Sequence, residues 1–183
     1  MLYSELQCSE AIRKAVERMG FAEMTEIQEK TIPVMLAGHD VIAKAPTGTG
    51  KTCAFGIPVA EHIDPEKKYP QAVIMAPTRE LAQQIAEELT ELTYFMPEVQ
   101  VACVYGGANM EKQARRLAEG CQIVVATPGR LMDHYKHHSI DLAHVTQVVL
   151  DEADEMLNMG FYKDVRHIIE LMKARKSLSM FSA

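Results

Sequence analysis

Ala45-Pro46-Thr47-Gly48-Thr49-Gly50-Lys51-Thr52 is the stretch that decides how this chain folds. Asp40-Val41-Ile42-Ala43-Lys44, just before it, is a short run that reads as a buried strand, and Cys53-Ala54-Phe55-Gly56-Ile57 continues beyond it as a helix. A strand, a glycine-bearing loop and a helix opening at Gly-Lys-Thr is the context in which a phosphate-binding loop operates. Successive backbone N–H groups of such a loop converge on one point, where the helix N-terminus adds partial positive charge. Ala45, Thr47, Gly48, Thr49 and Gly50 then form the cradle, Lys51 reaches the terminal phosphates, and the Thr52 hydroxyl serves as a Mg²⁺ ligand. Ala45 stands where the strict pattern has glycine. The bland alternative is a turn that caps a helix and leaves Lys51 solvated.

Working outward, strands and helices alternate. Ser9 to Met19 carries Ala11, Ile12, Ala15, Val16 and Met19 at helical spacing, with Ser9 as N-cap. Thr25-Glu26-Ile27-Gln28 is a capping-box pattern opening a second helix, and Gly38 sits where a left-handed C-cap residue belongs. Further strands are expected at Gln71–Ala76, Val99–Val104, Cys121–Ala126, Gln147–Leu150 and Ser177–Phe181. Helices are expected from the loop through His62, over Arg79–Tyr94 and Met110–Glu119, and from Pro128 at a first helical position. Continuous apolar strands between helices imply an α/β fold, a mainly parallel sheet covered on both faces, with its site at the C-terminal strand ends.

Asp151-Glu152-Ala153-Asp154 follows directly on the apolar run Val148-Val149-Leu150. An acidic residue at the end of such a strand completes a Mg²⁺ site through metal-bound water, which casts Asp151 as the partner of Thr52. The adjacent carboxylate, Glu152, is placed to orient or polarise an attacking water. The competing reading is that acidic residues favour the first turn of a helix, here Asp154 to Asn158.

With these motifs in order, the chain resembles the DEAD-box RNA helicases, whose name spells Asp151-Glu152-Ala153-Asp154. Glu155-Met156-Leu157 and Gly160-Phe161 continue the likeness, and Ala at position 45 is a common form of that family's loop. The resemblance implies a RecA-like P-loop NTPase domain spanning 1–183, with residues 1–38 as an adenine-recognition segment and 39–183 as the core. Gln28 would pair with the adenine edge and Phe21 would stack on the base, with Tyr3 near the place of an upstream aromatic. Met24 departs from the family, where Pro precedes the Thr. Lys51, Asp151 and Glu152 would be catalytic, and ATP with Mg²⁺ the cofactors. Pro77-Thr78-Arg79, Gly106-Gly107 and Thr127-Pro128-Gly129-Arg130 resemble its RNA-contacting motifs, which hold the backbone with little sequence preference. Asp154 and Ser182 match the pair that couples the two halves of the family's motor. The likeness covers the first of two RecA-like domains, so the second would lie outside this chain, and the fragment by itself is expected to be a monomer that binds nucleotide but hydrolyses it negligibly. An ATP-dependent RNA clamp that does not unwind, and a DNA-directed motor of the same superfamily, are the alternatives.

The bulk numbers set bounds on partners and place. A length of 183 residues suffices for one large domain with a proper core. A net charge of −6 argues mildly against a nucleic-acid partner, so the RNA reading rests on particular positions. Cys8, Cys53, Cys103 and Cys121 lack Cys-x-x-Cys spacing and read as buried fillers in a reducing compartment, hence a cytoplasmic location. His134, His137, His138 and His144 crowd together without a Cys or carboxylate at ligand spacing, which reads as a solvated helix end. Met156, Met159 and Met172 read as core filler, and Lys112, Arg115 and Arg116 as a solvated basic face.

Overall fold

Short apolar runs form the strands β1 (Ile42–Lys44), β2 (Ala72–Met75), β3 (Val101–Val104), β4 (Ile123–Ala126), β5 (Gln147–Asp151) and β6 (Ser177–Ser182). In the computed structural model, which describes residues 1–183, every strand pair is parallel and the sheet order is β1-β6-β5-β2-β4-β3. The mainly parallel sheet expected from the sequence is therefore borne out. The helices are α1 (Glu10–Arg18), α2 (Glu26–Leu36), α3 (Lys51–Glu61), α4 (Arg79–Leu92), α5 (Met110–Ala118), α6 (Pro128–Lys136), α7 (Ala153–Asn158) and α8 (Tyr162–Leu171), preceded by a 3-10 turn at Tyr3–Glu5.

Alternation along each strand assigns side chains to two cores. Ala72, Ile74, Ile123, Val125 and Val149 join the side chains of α1 to α4 on one face. Val73, Met75, Val124, Ala126 and Val148 join those of α5 to α8 on the other. Because both faces are covered, β2, β4 and β5 are buried at every residue; β2 and β4 are unbroken apolar runs, and β5 is apolar between Gln147 and Asp151. No helix is long and apolar enough to cross a membrane.

Three expectations need correction. β1 is not a buried strand but an edge strand that pairs with β6 alone, and Ile42 is 86% exposed. Met159 lies in the turn after α7 and is exposed, whereas Met156 and Met172 are buried. Cys53 and Cys121 are buried fillers, while Cys8 and Cys103 are half-buried. Burial pushes the Cys53 thiol up to about 12 and that of Cys121 to about 11, so neither is a nucleophile at neutral pH.

Candidate active site

The 45–52 loop is held at both ends. The Ala45 N–H donates to the Ser182 carbonyl at 2.9 Å, extending the β1–β6 ladder, and the Thr49 hydroxyl closes the turn on the Pro46 carbonyl at 2.6 Å. Gly48 and Gly50 take positive φ, 85° and 80°. At Gly50 a Cβ would come within 2.2 Å of Gln28 Nε2, so glycine there meets both a left-handed backbone and a close neighbour. Gly50 is the N-cap of α3, which aims Lys51 and Thr52 from the first turn.

Lys51 crosses from this loop to the end of β5. Its Nζ donates to Glu152 Oε1 at 2.6 Å and lies 4.0 Å from Asp151 Oδ1. Side-chain exposures of 7% for Lys51, 3% for Asp151 and 16% for Glu152 mark a nearly dry triad. Glu152 takes a left-handed φ of 50°, rare outside glycine, which turns the chain sharply out of β5; its N–H bonds Asp151 Oδ1 at 3.0 Å. Burial raises the Asp151 carboxyl to about 6 with help from Glu152, while Lys51 and the Glu152 N–H pull it back. On the α4 side the Glu88 carboxyl is raised by burial and by nearby Glu91 and Asp151, with Thr52 pulling it back. Nothing in the sequence marks Glu88, which looks like one more acid on an amphipathic helix.

The donor set fits a magnesium–triphosphate. One hydroxyl and one buried carboxylate, completed by phosphate oxygens and water, is the usual provision for Mg²⁺. A cavity of about 420 Å³ opens over the loop, lined by Thr25, Glu26, Ile27, Lys30, Gly48 and Thr49 among others. Gln28 lies behind it, only 3% exposed. The capping box is formed as expected: Gln28 Oε1 accepts the Thr25 N–H at 3.0 Å. The same amide donates from Nε2 to the Gly50 carbonyl at 3.1 Å, so the capping and functional readings of Gln28 coexist. Phe21 is 44% exposed and stacks on Tyr3 with centroids 6.5 Å apart, lining a separate cavity of about 310 Å³.

The remaining motifs gather at the ends of β2, β3 and β4. Pro77 is buried, and Thr78 caps α4 by accepting the Leu81 N–H at 3.2 Å. Arg79 is exposed and lies 4.6 Å over the Tyr105 ring, and the Tyr105 hydroxyl accepts from Gln83 at 3.0 Å. Gly107, at φ 81°, sits beside Arg79, and Gly106 precedes it. Thr127 is the N-cap of α6, with Pro128 and Gly129 in its first turn. Arg130, with a side chain 13% exposed, turns inward to the Ala108 carbonyl at 3.0 Å and Gln113 Oε1 at 3.2 Å. Gln113 Nε2 donates to the Tyr105 carbonyl at 3.0 Å, so one buried glutamine pins the glycine loop to α5 and α6. The sequence reading missed Tyr105 and Gln113, since their significance depends on which strands are neighbours.

The crowded histidines go separate ways. Buried His134 meets Gln113 Oε1 at 3.1 Å, His137 meets the Asp133 carbonyl at 2.7 Å, and His144 stacks on Tyr69. Asp154 is exposed at the start of α7, and Ser182 contributes its main chain to the β1–β6 ladder; the two share no hydrogen bond.

A family model described as DEAD/DEAH box helicase matches residues 25–183. The chain is 51% identical over 181 residues to "ATP-dependent RNA helicase CshA" of Listeria monocytogenes, across 99% of this chain and 35% of that protein. Identity to "ATP-dependent RNA helicase DeaD" of Escherichia coli is 44%, across 99% of this chain and 29% of that one. Among solved structures, a DEAD box protein from Methanococcus jannaschii superposes with a TM-score of 0.92 at 40% identity, over all of this chain and 50% of that one. A hypothetical ATP-dependent RNA helicase from Sulfolobus tokodaii does so with 0.86 at 41%, over 96% and 50%. The chain thus spans about a third of the length of the curated relatives it matches.

Proposed function

Because the chain belongs to the DEAD/DEAH box helicase family, we propose that it is the ATP- and Mg²⁺-binding half of an RNA helicase. The observation that carries this reading is the Lys51–Asp151–Glu152 cluster, with its 2.6 Å and 4.0 Å contacts at the mouth of the glycine loop. Lys51 is held there by carboxylates that cost little to release once phosphate oxygens offer the same charge. When a triphosphate enters, the ammonium exchanges Glu152 for those oxygens. Glu152 is then free to accept a proton from water aligned on the terminal phosphorus. Thr52 and Asp151 are the residues that would hold Mg²⁺, which when bound would supply further charge neutralisation for the phosphates. Gln28 selects adenine, and the motifs after β2, β3 and β4 hold RNA by its backbone.

The chain alone hydrolyses ATP negligibly on this reading. A second RecA-like domain supplies the arginines, which in phosphoryl transfer are worth about 10³ to 10⁵ in rate. The test is equilibrium titration of the chain with ATP and GTP in Mg²⁺, alongside Lys51→Ala, followed by an ATPase assay with and without single-stranded RNA. Preference for ATP, loss of binding in Lys51→Ala and near-zero turnover are expected. Equal affinity for GTP sinks the base assignment, unchanged binding by Lys51→Ala sinks the phosphate assignment, and robust turnover sinks the division of labour.

A further inference from the structure

Gln28 is the residue assigned to the base, yet its carboxamide oxygen is fully engaged within the chain. A carboxamide oxygen has two lone pairs. One takes the Thr25 N–H at 3.0 Å, and the other takes the Tyr3 hydroxyl, which donates to it. Tyr3 is only 5% exposed and fixed in place: its N–H donates to the Ala22 carbonyl at 3.0 Å, its carbonyl accepts from Leu6 at 3.1 Å, and its ring lies against Phe21. On the nitrogen side, one Gln28 N–H is spent on the Gly50 carbonyl at 3.1 Å and the second is free. A base presenting an acceptor can therefore take this N–H without breaking a bond inside the chain. A base presenting an amino group finds no lone pair until Tyr3 lets go.

We propose that Tyr3 tunes nucleotide selection by competing with the adenine 6-amino group for the second lone pair of Gln28 Oε1. This rests on the assignment of Gln28 to adenine. The free site is self-satisfied, which avoids an unpaired buried acceptor, and adenine must displace the hydroxyl to be read. Tyr3 touches Gln28 and not the phosphates, so it acts as a positioning residue.

The experiment is calorimetric titration of the whole chain and of Tyr3→Phe with Mg²⁺-ADP, Mg²⁺-GDP and a purine-riboside diphosphate lacking the 6-amino group. Removing one neutral competing hydrogen bond should tighten ADP by about 2- to 10-fold. The amino-less analogue and GDP should bind the two proteins equally. In the unmutated chain, deleting the amino group should cost little, because what the amino group gains is offset by the lost Tyr3 bond; that measurement stands even where Tyr3→Phe folds poorly. Melting without nucleotide should show Tyr3→Phe slightly less stable, with the gap narrowing in ADP. Equal tightening of ADP and the analogue would mean general loosening and overturns the proposal, as does no tightening at all. Should the unmutated chain bind GDP as well as ADP, the adenine assignment falls and this proposal with it; adenine preference with an unresponsive Tyr3→Phe sinks the proposal alone.

Discussion

His134 shows what a single buried ring contributes. It has no measurable exposure, its Nε2 is paired with Gln113 Oε1, and its Nδ1 has no partner. Burial, with the Arg130 guanidinium on the same helix, lowers its pKa below the ordinary 6.5; Asp133 pulls the other way and His137 adds to the lowering. Below pH 6.5 the unfolded chain therefore binds a proton that the folded chain refuses, so stability is lost on acidification. Asp151 has the opposite sign. Its folded carboxyl sits near 6, above the ordinary 3.8, so it disfavours folding at neutral pH and that penalty is relieved as pH falls from about 6 towards 3.8. The variant His134→Leu separates the two, since Gln113 Oε1 keeps its bond from Arg130. Melting temperatures at pH 7.5 and 5.5 should fall less on acidification for His134→Leu than for the unmutated chain. An identical fall would show that His134 does not carry the slope.

At the level of elements, the sheet is tied off at the end remote from the site by three buried glutamines, Gln71 and Gln122 just before β2 and β4 and Gln147 at the start of β5. Gln71 bonds Asp64 and Lys67, Gln147 donates to the Val59 carbonyl at 3.3 Å, and Gln122 accepts the Gln100 N–H at 2.8 Å. Gln122 Nε2 also donates to the Glu98 and Pro65 carbonyls at 2.9 and 3.3 Å. Gln122→Leu fits the volume but strands these main-chain groups, which should cost on the order of 3 kcal/mol. Denaturant unfolding should register that loss while nucleotide affinity stays unchanged, because the substitution lies at the opposite strand ends. A loss of affinity that matches the loss of stability would contradict this separation. These glutamines, like Gln113, were not legible beforehand: their partners are far away in sequence, and the spacing of apolar residues says nothing about them. What was legible is local. The loop, the acidic tetrapeptide and the caps at Ser9, Thr25 and Gly38 announce themselves within a few residues, and the apolar runs of β2, β4 and β5 announce two covered faces. α8 escaped notice because it opens at Phe161, with no side-chain cap to signal its start. The exposure of β1 escaped because three residues are too few to show an alternating pattern, and edge position follows from strand order.

Across the whole molecule, the strand order divides the C-terminal rim into two halves. β1, β6 and β5 carry the phosphate loop, Ser182 and the Asp151–Glu152 pair, while β2, β4 and β3 carry the motifs assigned to RNA. The halves meet where β5 lies beside β2, with Leu150 in register with Met75, so Asp151 and the approach to Pro77 are neighbours. On the proposed reading, the nucleotide and RNA sites are adjacent and need no long-range relay. The same division addresses the acidic total of −6. If the RNA half grips phosphates through helix N-termini and loop amides, little cationic charge is required. Arg79 is exposed at this rim, whereas Arg130 is spent on Ala108 and Gln113, so about one or two phosphates would be neutralised by side chains. Single-stranded binding falls with salt at a log–log slope of about −0.7 per neutralised phosphate, which predicts a slope near −1. Anisotropy titrations of labelled uridine and adenosine oligonucleotides between 50 and 200 mM salt would measure it. Arg79→Ala should flatten the slope by about 0.7, weakening both sequences alike. A slope of about −4 or steeper would mean about six neutralised phosphates, too many for Arg79 and Arg130 to supply.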